Sequence, residues 1–273
     1  MPARLAEDPG YVFDNDSLHS SEQHRCLSAA YDEATCARLA ETGVTRGWRC
    51  LEIGSGGGSV AAWLADRVAP GGEVIATDVK PHHIPERPGL TALRHDIAQD
   101  PLPEAEFDLI TARLVLQHIP ERRTVLDKLV RALKPGGRLQ IEEFDTSYEP
   151  PLLTPDEESA ELYRTFLAAK CAVLRDGGGD PEWGRKVPAA MRAAGLVDID
   201  PRPRIELRTA GSPGLRLQLH HTRHLHRRLL DAGMTEAQLR CVQGLMADPS
   251  FLAASSVMYS VHGTRPPTEE TSR

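Results

Sequence analysis

The sequence lacks the features that mark secreted, membrane-spanning and disulfide-rich proteins. Its five cysteines form no C-x-x-C pair, so we expect neither a zinc ribbon nor a disulfide framework. No run of about 18 apolar residues is present, and no membrane partner is expected. Residues 1–10 carry two acids and no apolar core, unlike a secretory signal. These absences predict a cytoplasmic chain with reduced thiols.

An excess of positive charge is also missing. The chain has 32 Lys and Arg against 39 Asp and Glu, for a formal net charge of -7. Binding to nucleic acid requires a dense Lys and Arg surface, so we expect a small molecule as the partner and no nucleic acid. With 273 residues, 40% of them hydrophobic, the chain can bury the core of one large domain with a modest cap.

Short apolar runs alternate with amphipathic segments through the middle of the chain. Strands are predicted at residues 48–53, 73–77, 90–94, 107–111, 138–142, 197–207 and 254–263. Helices are predicted at residues 19–41, 60–68, 121–133, 155–175, 181–194, 215–230 and 236–246. This alternation predicts right-handed βαβ crossovers and a parallel sheet with helices on both faces.

Acidic residues follow or end four of the predicted strands: Glu52, Asp78, Asp96 and Glu142. In an open parallel sheet, ligands bind beyond the carboxyl ends of the strands, near the point where the strand order reverses. Four acids at matching positions therefore indicate a ligand site at this edge. Capping of the following helices is the alternative explanation for each of them.

A glycine-rich turn, Gly54-Ser55-Gly56-Gly57-Gly58, follows the first of these strands. Glycines let a ligand approach the backbone, and the next helix presents unpaired N–H groups. The nicotinamide fingerprint G-x-G-x-x-G would need a third glycine where the chain has Ser59. Glu52, two residues before the turn, would repel a pyrophosphate but tolerate a cationic ligand.

These motifs together resemble the class I S-adenosylmethionine-dependent methyltransferase family. The resemblance covers residues 11–146 and rests on five motifs in order: residues 51–58, 76–79, 94–97, 107–118 and 133–139. It implies an α/β fold with a Rossmann-like, seven-stranded, mostly parallel sheet, helices on both faces, an antiparallel last strand and a helical cap. Residues 1–273 would form one domain, with a cofactor-binding core at 47–147 and cap segments at 148–180 and 211–247.

The resemblance also implies bound S-adenosyl-L-methionine, with S-adenosyl-L-homocysteine as the product. By the family pattern, Asp78 binds the ribose hydroxyls and Asp96 the adenine amine. The other implied cofactor contacts are Glu52, Gly54, Ser55, Gly56, Val79, Ile97 and Arg113. Arg113 could equally organise its loop through an ion pair.

Residues 11–15 and 22–25 resemble a bacterial, natural-product type of small-molecule methyltransferase. This similarity implies that residues 1–46 fold over the cofactor. Arg25 would then bind the methionyl carboxylate as a bidentate donor. The alternative is a solvated arginine on a helix face. A homodimer is a further arrangement that the sequence leaves open.

The implied reaction is an in-line displacement, in which alignment and exclusion of water are the main tasks of the protein. Some acceptors must also lose a proton, and the candidate bases are His118, Tyr11, Glu142 and His221. His220 and His224 share a helix face, but no acid or cysteine completes a metal site, so no metal is expected.

Three functions remain open from the sequence. We expect methyl transfer to a small acceptor, such as an aromatic compound of secondary metabolism. The first alternative is a nicotinamide-dependent oxidoreductase, disfavoured by Ser59 and by the order of the motifs. The second is a non-catalytic, cofactor-binding regulatory protein of the same fold, disfavoured by the intact glycine turn and Asp78.

Overall fold

The computed structural model of the chain describes residues 20–267. Tyr11, one of the candidate bases, lies outside the described residues, as does the segment 11–15. Within residues 20–267, no helix is long and apolar enough to cross a bilayer.

The described strands are β1 (Arg49–Ile53), β2 (Glu73–Asp78), β3 (Leu90–Arg94), β4 (Phe107–Arg113), β5 (Leu133–Asp145), β6 (Pro151–Leu153), β7 (Val197–Arg204), β8 (Leu207–Thr209), β9 (Leu252–Ala254) and β10 (Val257–Thr264). The described helices are α1 (Ser20–Glu41), α2 (Ser59–Val68), α3 (Arg122–Ala132), α4 (Glu157–Asp176), α5 (Trp183–Ala193), α6 (Pro213–His224), α7 (His226–Asp231) and α8 (Glu236–Ala247).

Seven strands form the main sheet in the order β3-β2-β1-β4-β5-β10-β7. The first five pair in parallel, whereas β10 runs antiparallel to both β5 and β7. The predicted Rossmann-like sheet with an antiparallel last strand is therefore confirmed. The chain order reverses between β1 and β4, which places the expected ligand crevice at the carboxyl ends of these two strands.

Helices cover both faces of the sheet because its strands are apolar on both sides. Leu51 and Ile53 of β1 belong to the core that packs against α3 and α5. Cys50, which precedes Leu51, belongs to the core that packs against α2. Neighbouring side chains of a strand alternate between faces, so the two cores lie on opposite sides of the sheet.

The cap contains a second sheet that the sequence pattern did not reveal. It is antiparallel and three-stranded, in the order β6-β9-β8. The helices α4, α6, α7 and α8 pack into a separate apolar core that includes Tyr163, Phe166 and Phe251. The cap therefore combines its helices with a small sheet that the sequence pattern did not predict.

Three elements that were predicted as continuous are each divided in two in the structure. The predicted strand 197–207 is divided into β7 and β8, and the predicted strand 254–263 into β9 and β10, since the chain passes from one sheet to the other at each break. Ser255 lies at this crossing, where its N–H donates to the carbonyl of Glu206 at 2.8 Å. The predicted helix 215–230 is interrupted at Leu225, between α6 and α7.

Candidate active site

A cavity of about 590 Å³ opens at the carboxyl ends of the parallel strands. Its core half is lined by the glycine turn after β1, by the ends of β2 and β3, and by the segment after β4. Its cap half is lined from Phe144 onward, mainly by α4 and α6. Such volumes are typical of small-molecule sites.

The turn between β1 and α2 requires glycine at two positions. Gly54 has a φ of 65°, and a Cβ there would overlap the Cγ2 of Val115. Gly58 has a φ of 71°, and its Cβ would lie 2.7 Å from the Cδ of Pro85. Side chains other than glycine are strained in this left-handed region. The two glycines therefore let the turn pack closely against Val115 and Pro85, and Gly54 and Gly56 of the turn line the cavity.

Asp78, the last residue of β2, is bound to the glycine turn. Its Oδ2 accepts a hydrogen bond from the backbone N–H of Gly56 at 2.9 Å. Its Oδ1 accepts from the N–H of Lys80 at the same distance. Asp78 is buried and lines the cavity, so its carboxylate and the turn form one continuous surface. Val79, at 41% exposure, lies beside it.

Asp96 and Ile97 lie on the neighbouring wall, just after β3. The carboxylate of Asp96 accepts from the N–H of Ala98 at 2.9 Å, which closes a tight turn. Ile97 is buried and provides an apolar surface next to it. Both residues line the same cavity as Gly54 and Asp78. The fold thus brings Asp78, the last residue of β2, and Asp96, which follows β3, to the same cavity.

Glu52 and Ser55 line a small side pocket of about 50 Å³, which shares Gly54, Gly56 and Arg113 with the main cavity. Burial raises the pKa of Glu52 to about 7. Arg113 donates to Asp32 of α1 at 2.8 Å, so it both lines the cavity and holds α1 against the sheet. The ion pair agrees with the structural alternative for Arg113, and its contact with a cofactor stays a prediction.

Two of the described residues predicted for the site, Glu142 and Arg25, line neither the cavity nor the side pocket. Glu142 lies inside β5 rather than at its end, because this strand continues to Asp145. The carboxylate of Glu142 is buried and accepts from the hydroxyl of Thr35 at 2.6 Å, which corrects its prediction as a base facing substrate. The side chain of Arg25 is 69% exposed and pairs with Glu22, as the solvated alternative describes.

The other two candidate bases face the cavity. His118 ends a 3-10 turn, Leu116–His118, at the core half, and His221 lies on α6 at the cap half. Burial lowers the pKa of His118 to about 4, with the charge of Arg122 adding to the effect. Burial also lowers the pKa of His221 well below its ordinary value. Both imidazoles are therefore neutral near pH 7, the form that accepts a proton, and their lowered pKa makes each a weaker base than a free imidazole.

Glu143, which the sequence did not single out for a role, supports the turn that carries His118. Its Oε1 accepts from the backbone N–H groups of Val115, Leu116 and Gln117, at 3.2, 2.7 and 3.3 Å. The side chain is fully buried. Glu142, Glu143 and Asp145 lie close together in the sequence, and no local signal separates Glu143 from the other two. Only the tertiary structure shows which of them meets the turn.

Comparison with known protein families gives a match for the central part of the chain. A family model described as a methyltransferase domain matches residues 51–139, the segment from β1 into β5. Residues 51–139 thus match a methyltransferase domain, and the fold is that of class I S-adenosylmethionine-dependent methyltransferases. The matched segment holds the glycine turn, Asp78 and Asp96, which are the residues that the main cavity brings together.

Relatives of this domain include two proteins named as methyltransferases. Methyltransferase str2 from Strobilurus tenacellus is 31% identical over 150 residues, which is 54% of this chain and 52% of that protein. The ubiquinone/menaquinone biosynthesis C-methyltransferase UbiE from Yersinia pestis (strain Pestoides F) is 31% identical over 145 residues, 49% of this chain and 55% of that protein. The matches thus span about half the length of these relatives.

The methyltransferase fold extends beyond the matched segment. A solved structure of phosphoethanolamine N-methyltransferase 2 from Haemonchus contortus, in complex with phosphomonomethylethanolamine and S-adenosylhomocysteine, superimposes with a TM-score of 0.50. The alignment covers 86% of this chain and 52% of that chain at 18% sequence identity. At this identity the similarity concerns the fold alone.

Proposed function

We propose that this domain binds S-adenosyl-L-methionine in the core half of the cavity and transfers its methyl group to a small acceptor in the cap half. The observation that carries the proposal is that Gly54, Asp78 and Asp96 line one cavity, which continues without a break into the cap. The segments 148–180 and 211–247 would then recognise the acceptor, since they supply most of the cap half.

The core half fits this cofactor in shape and charge. The glycine turn presents Gly54 and Gly56 to the cavity, and Asp78, Asp96 and Glu121 give the wall a negative charge that suits a cationic sulfonium. Asp78 and Val79 would hold the ribose, and Asp96 with Ile97 the adenine. Glu52, Gly54, Ser55, Gly56 and Arg113 would hold the methionyl part.

When bound, S-adenosyl-L-methionine supplies a methyl group that is already electrophilic. The protein then has to orient the acceptor and exclude water. His118 and His221 line the cavity as neutral imidazoles, and either could take a proton from the acceptor. Glu143 would act as a positioning residue, because it binds the turn that ends at His118.

The acceptor is proposed to be a small aromatic or amphipathic molecule of secondary metabolism. The cap half of the cavity is largely apolar, with Phe144, Leu174, Leu217 and Leu225 among its lining residues. The name of the relative UbiE, a ubiquinone/menaquinone biosynthesis C-methyltransferase, supports a small-molecule acceptor. A cytoplasmic location is part of this proposal, and a homodimer stays a prediction.

A nicotinamide-dependent oxidoreductase and a non-catalytic regulatory protein are the alternatives. Against the first, Ser59 replaces the third glycine and begins α2, and Glu52 lies buried beside the turn. Against the second, the cavity extends well beyond the cofactor half and contains two imidazoles able to accept a proton. A regulatory protein would have no need of either feature.

Calorimetric titration with S-adenosyl-L-homocysteine tests the proposal. We expect the wild-type protein to bind this ligand, and Asp78→Ala to bind it at least about tenfold more weakly, because a charge-assisted hydrogen bond contributes about 1.5–3 kcal/mol. Asp66→Ala is the matched control, since this exposed carboxylate of α2 pairs with Arg87 outside the cavity. Binding of NAD⁺ in place of S-adenosyl-L-homocysteine, or equal affinity in Asp78→Ala, would contradict the proposal.

A further inference from the structure

The cap half of the cavity has a single formal charge. Among the described lining residues from Phe144 onward, Lys170 of α4 is the only Lys, Arg, Asp or Glu. His221 lines the same half but is neutral near pH 7, because burial lowers its pKa. Whatever occupies this half therefore meets one ammonium group in a largely apolar surrounding.

The charge of Lys170 is not balanced by the groups behind it. Glu149 and Arg208 form a buried ion pair, with side chains 2% and 1% exposed. The Nζ of Lys170 lies 3.5 Å from the same Oε1 of Glu149, so two cations share one carboxylate. Glu206, two residues before Arg208 in the chain, pairs with Arg204 at 3.0 Å. The cluster formed by Glu149, Arg208 and Lys170 thus has an excess positive charge.

The hydrogen bonds of the cluster leave donor capacity on the cavity side. Ser256 donates to Oε2 of Glu149 at 2.9 Å, and Gln218 donates to Oε1 at 3.0 Å. Lys170 donates to Oε1 of Gln218 at 2.8 Å. An ammonium group has three N–H donors, and within residues 20–267 Glu149 and Gln218 account for two of them, while the ring centroid of Phe166 lies 6.0 Å from the Nζ. Lys170, Gln218 and Ser256 all line the cavity.

We propose that Lys170, with the second amide N–H of Gln218, forms a binding site for an acidic oxygen of the acceptor, either a carboxylate or a phenolate. The inference rests on the proposed function, which places the acceptor in the cap half. An anion there would balance the excess charge, whereas a neutral acceptor would leave a buried ammonium group uncompensated. The low polarity of the surroundings strengthens such a contact. The site would therefore select acceptors by charge as well as by shape.

Matched aromatic probes test this site in protein saturated with S-adenosyl-L-homocysteine. The probes are 2-naphthoate, its neutral isostere 2-naphthamide, and the pair 2-naphthol and 2-methoxynaphthalene, each titrated by calorimetry at pH 7. We expect 2-naphthoate to bind at least about tenfold more tightly than 2-naphthamide, or 2-naphthol to bind more tightly than 2-methoxynaphthalene by the same factor. The reason is that hydrogen bonds to charged groups are the strong ones. Which pair shows the preference distinguishes a carboxylate from a phenolate.

The variant Lys170→Met removes the charge and keeps the length of the side chain. We expect it to lose the preference while its affinities for 2-naphthamide and S-adenosyl-L-homocysteine change less than about threefold. Lys186→Met is the matched control, because this lysine of α5 pairs with Asp180 and does not line the cavity. It should keep the full preference.

Two outcomes would overturn the site: no preference for either acidic probe in the wild-type protein, including the case of no binding at all, or a preference that survives in Lys170→Met. Failure of S-adenosyl-L-homocysteine to bind would instead overturn the proposed function. The probe titrations would then be made on the ligand-free protein, where the same comparison of wild type and Lys170→Met decides whether the anion site exists.

Discussion

The Glu143 side chain is a carboxyl group buried completely beneath the segment that follows β4. Burial raises its pKa from 4.5 to about 8, although three backbone N–H groups at Val115, Leu116 and Gln117 favour the ionised form. Because the folded-state pKa lies above the unfolded value, the protonated carboxyl stabilises the fold below about pH 4.5. This contribution decreases as the pH rises towards 8.

The substitution Glu143→Gln tests this effect. Wild-type unfolding free energy should fall between pH 5 and 8 by up to about 1.4 kcal/mol per pH unit more steeply than that of Glu143→Gln, which cannot ionise. Urea denaturation at pH 5, 6.5 and 8 measures the two slopes. Glu158→Gln, at an exposed position of α4, is the control and should keep the wild-type slope. Parallel slopes for wild type and Glu143→Gln would show that this carboxyl does not titrate in that range.

At the scale of elements, the contact between α5 and β5 depends on one glycine. A Cβ at Gly184 would lie 2.5 Å from the carbonyl oxygen of Glu143 and 2.7 Å from the carbonyl carbon of Phe144. Both atoms belong to the backbone of β5, so neither can move like the end of a flexible side chain. The helix can therefore lie against the strand that carries Glu143 only when this position lacks a side chain.

We expect Gly184→Ala to lower the unfolding free energy by about 1–3 kcal/mol, the usual effect of overpacking. Gly244→Ala is the matched control, because a Cβ at Gly244 of α8 would meet no atom within 4 Å. Since alanine favours a helix over glycine, this control should raise the unfolding free energy by about 0.5–1 kcal/mol. Urea denaturation of both variants checks the opposite signs, and equal effects would argue against the close contact.

At the scale of the whole molecule, the ion pair of Glu149 and Arg208 links parts that are distant in the sequence. Arg208 belongs to β8 of the small sheet, and Glu149 lies in the connection between β5 and β6. Lys170 of α4, Gln218 of α6 and Ser256 at the start of β10 complete the cluster. The cluster therefore joins the cap to the main sheet near the end of β5 and the beginning of β10.

Glu149→Gln should destabilise the protein strongly, because it leaves two buried cations without a carboxylate. Breaking a buried ion pair from one side typically costs about 3–5 kcal/mol. Glu157→Gln breaks an exposed pair with Arg164 and should cost less than about 1 kcal/mol. The difference between the two denaturation midpoints measures the contribution of burial. A similar small effect in both variants would mean that water reaches the cluster.

Much of the main sheet and part of the site could be predicted from sequence, for a local reason. Each strand from β1 to β5 is an apolar run followed by a turn, and the glycine turn, Asp78 and Asp96 lie at strand ends that follow from these runs. In a parallel sheet all such ends lie at one edge, so their meeting in one cavity could be expected before any distance was known.

The tertiary structure alone decided which side chains meet across long separations. Thr35 and Glu142 are 107 residues apart in the chain, and their hydrogen bond removes Glu142 from the cavity. Glu149, Arg208 and Ser256 likewise come from three separate segments. Periodicity reports which face of an element is apolar, but it contains no information on which distant element covers that face. Packing therefore decided three features that the sequence pattern did not contain: the cap sheet, the exposed position of Arg25 and the charge of the cap half of the cavity.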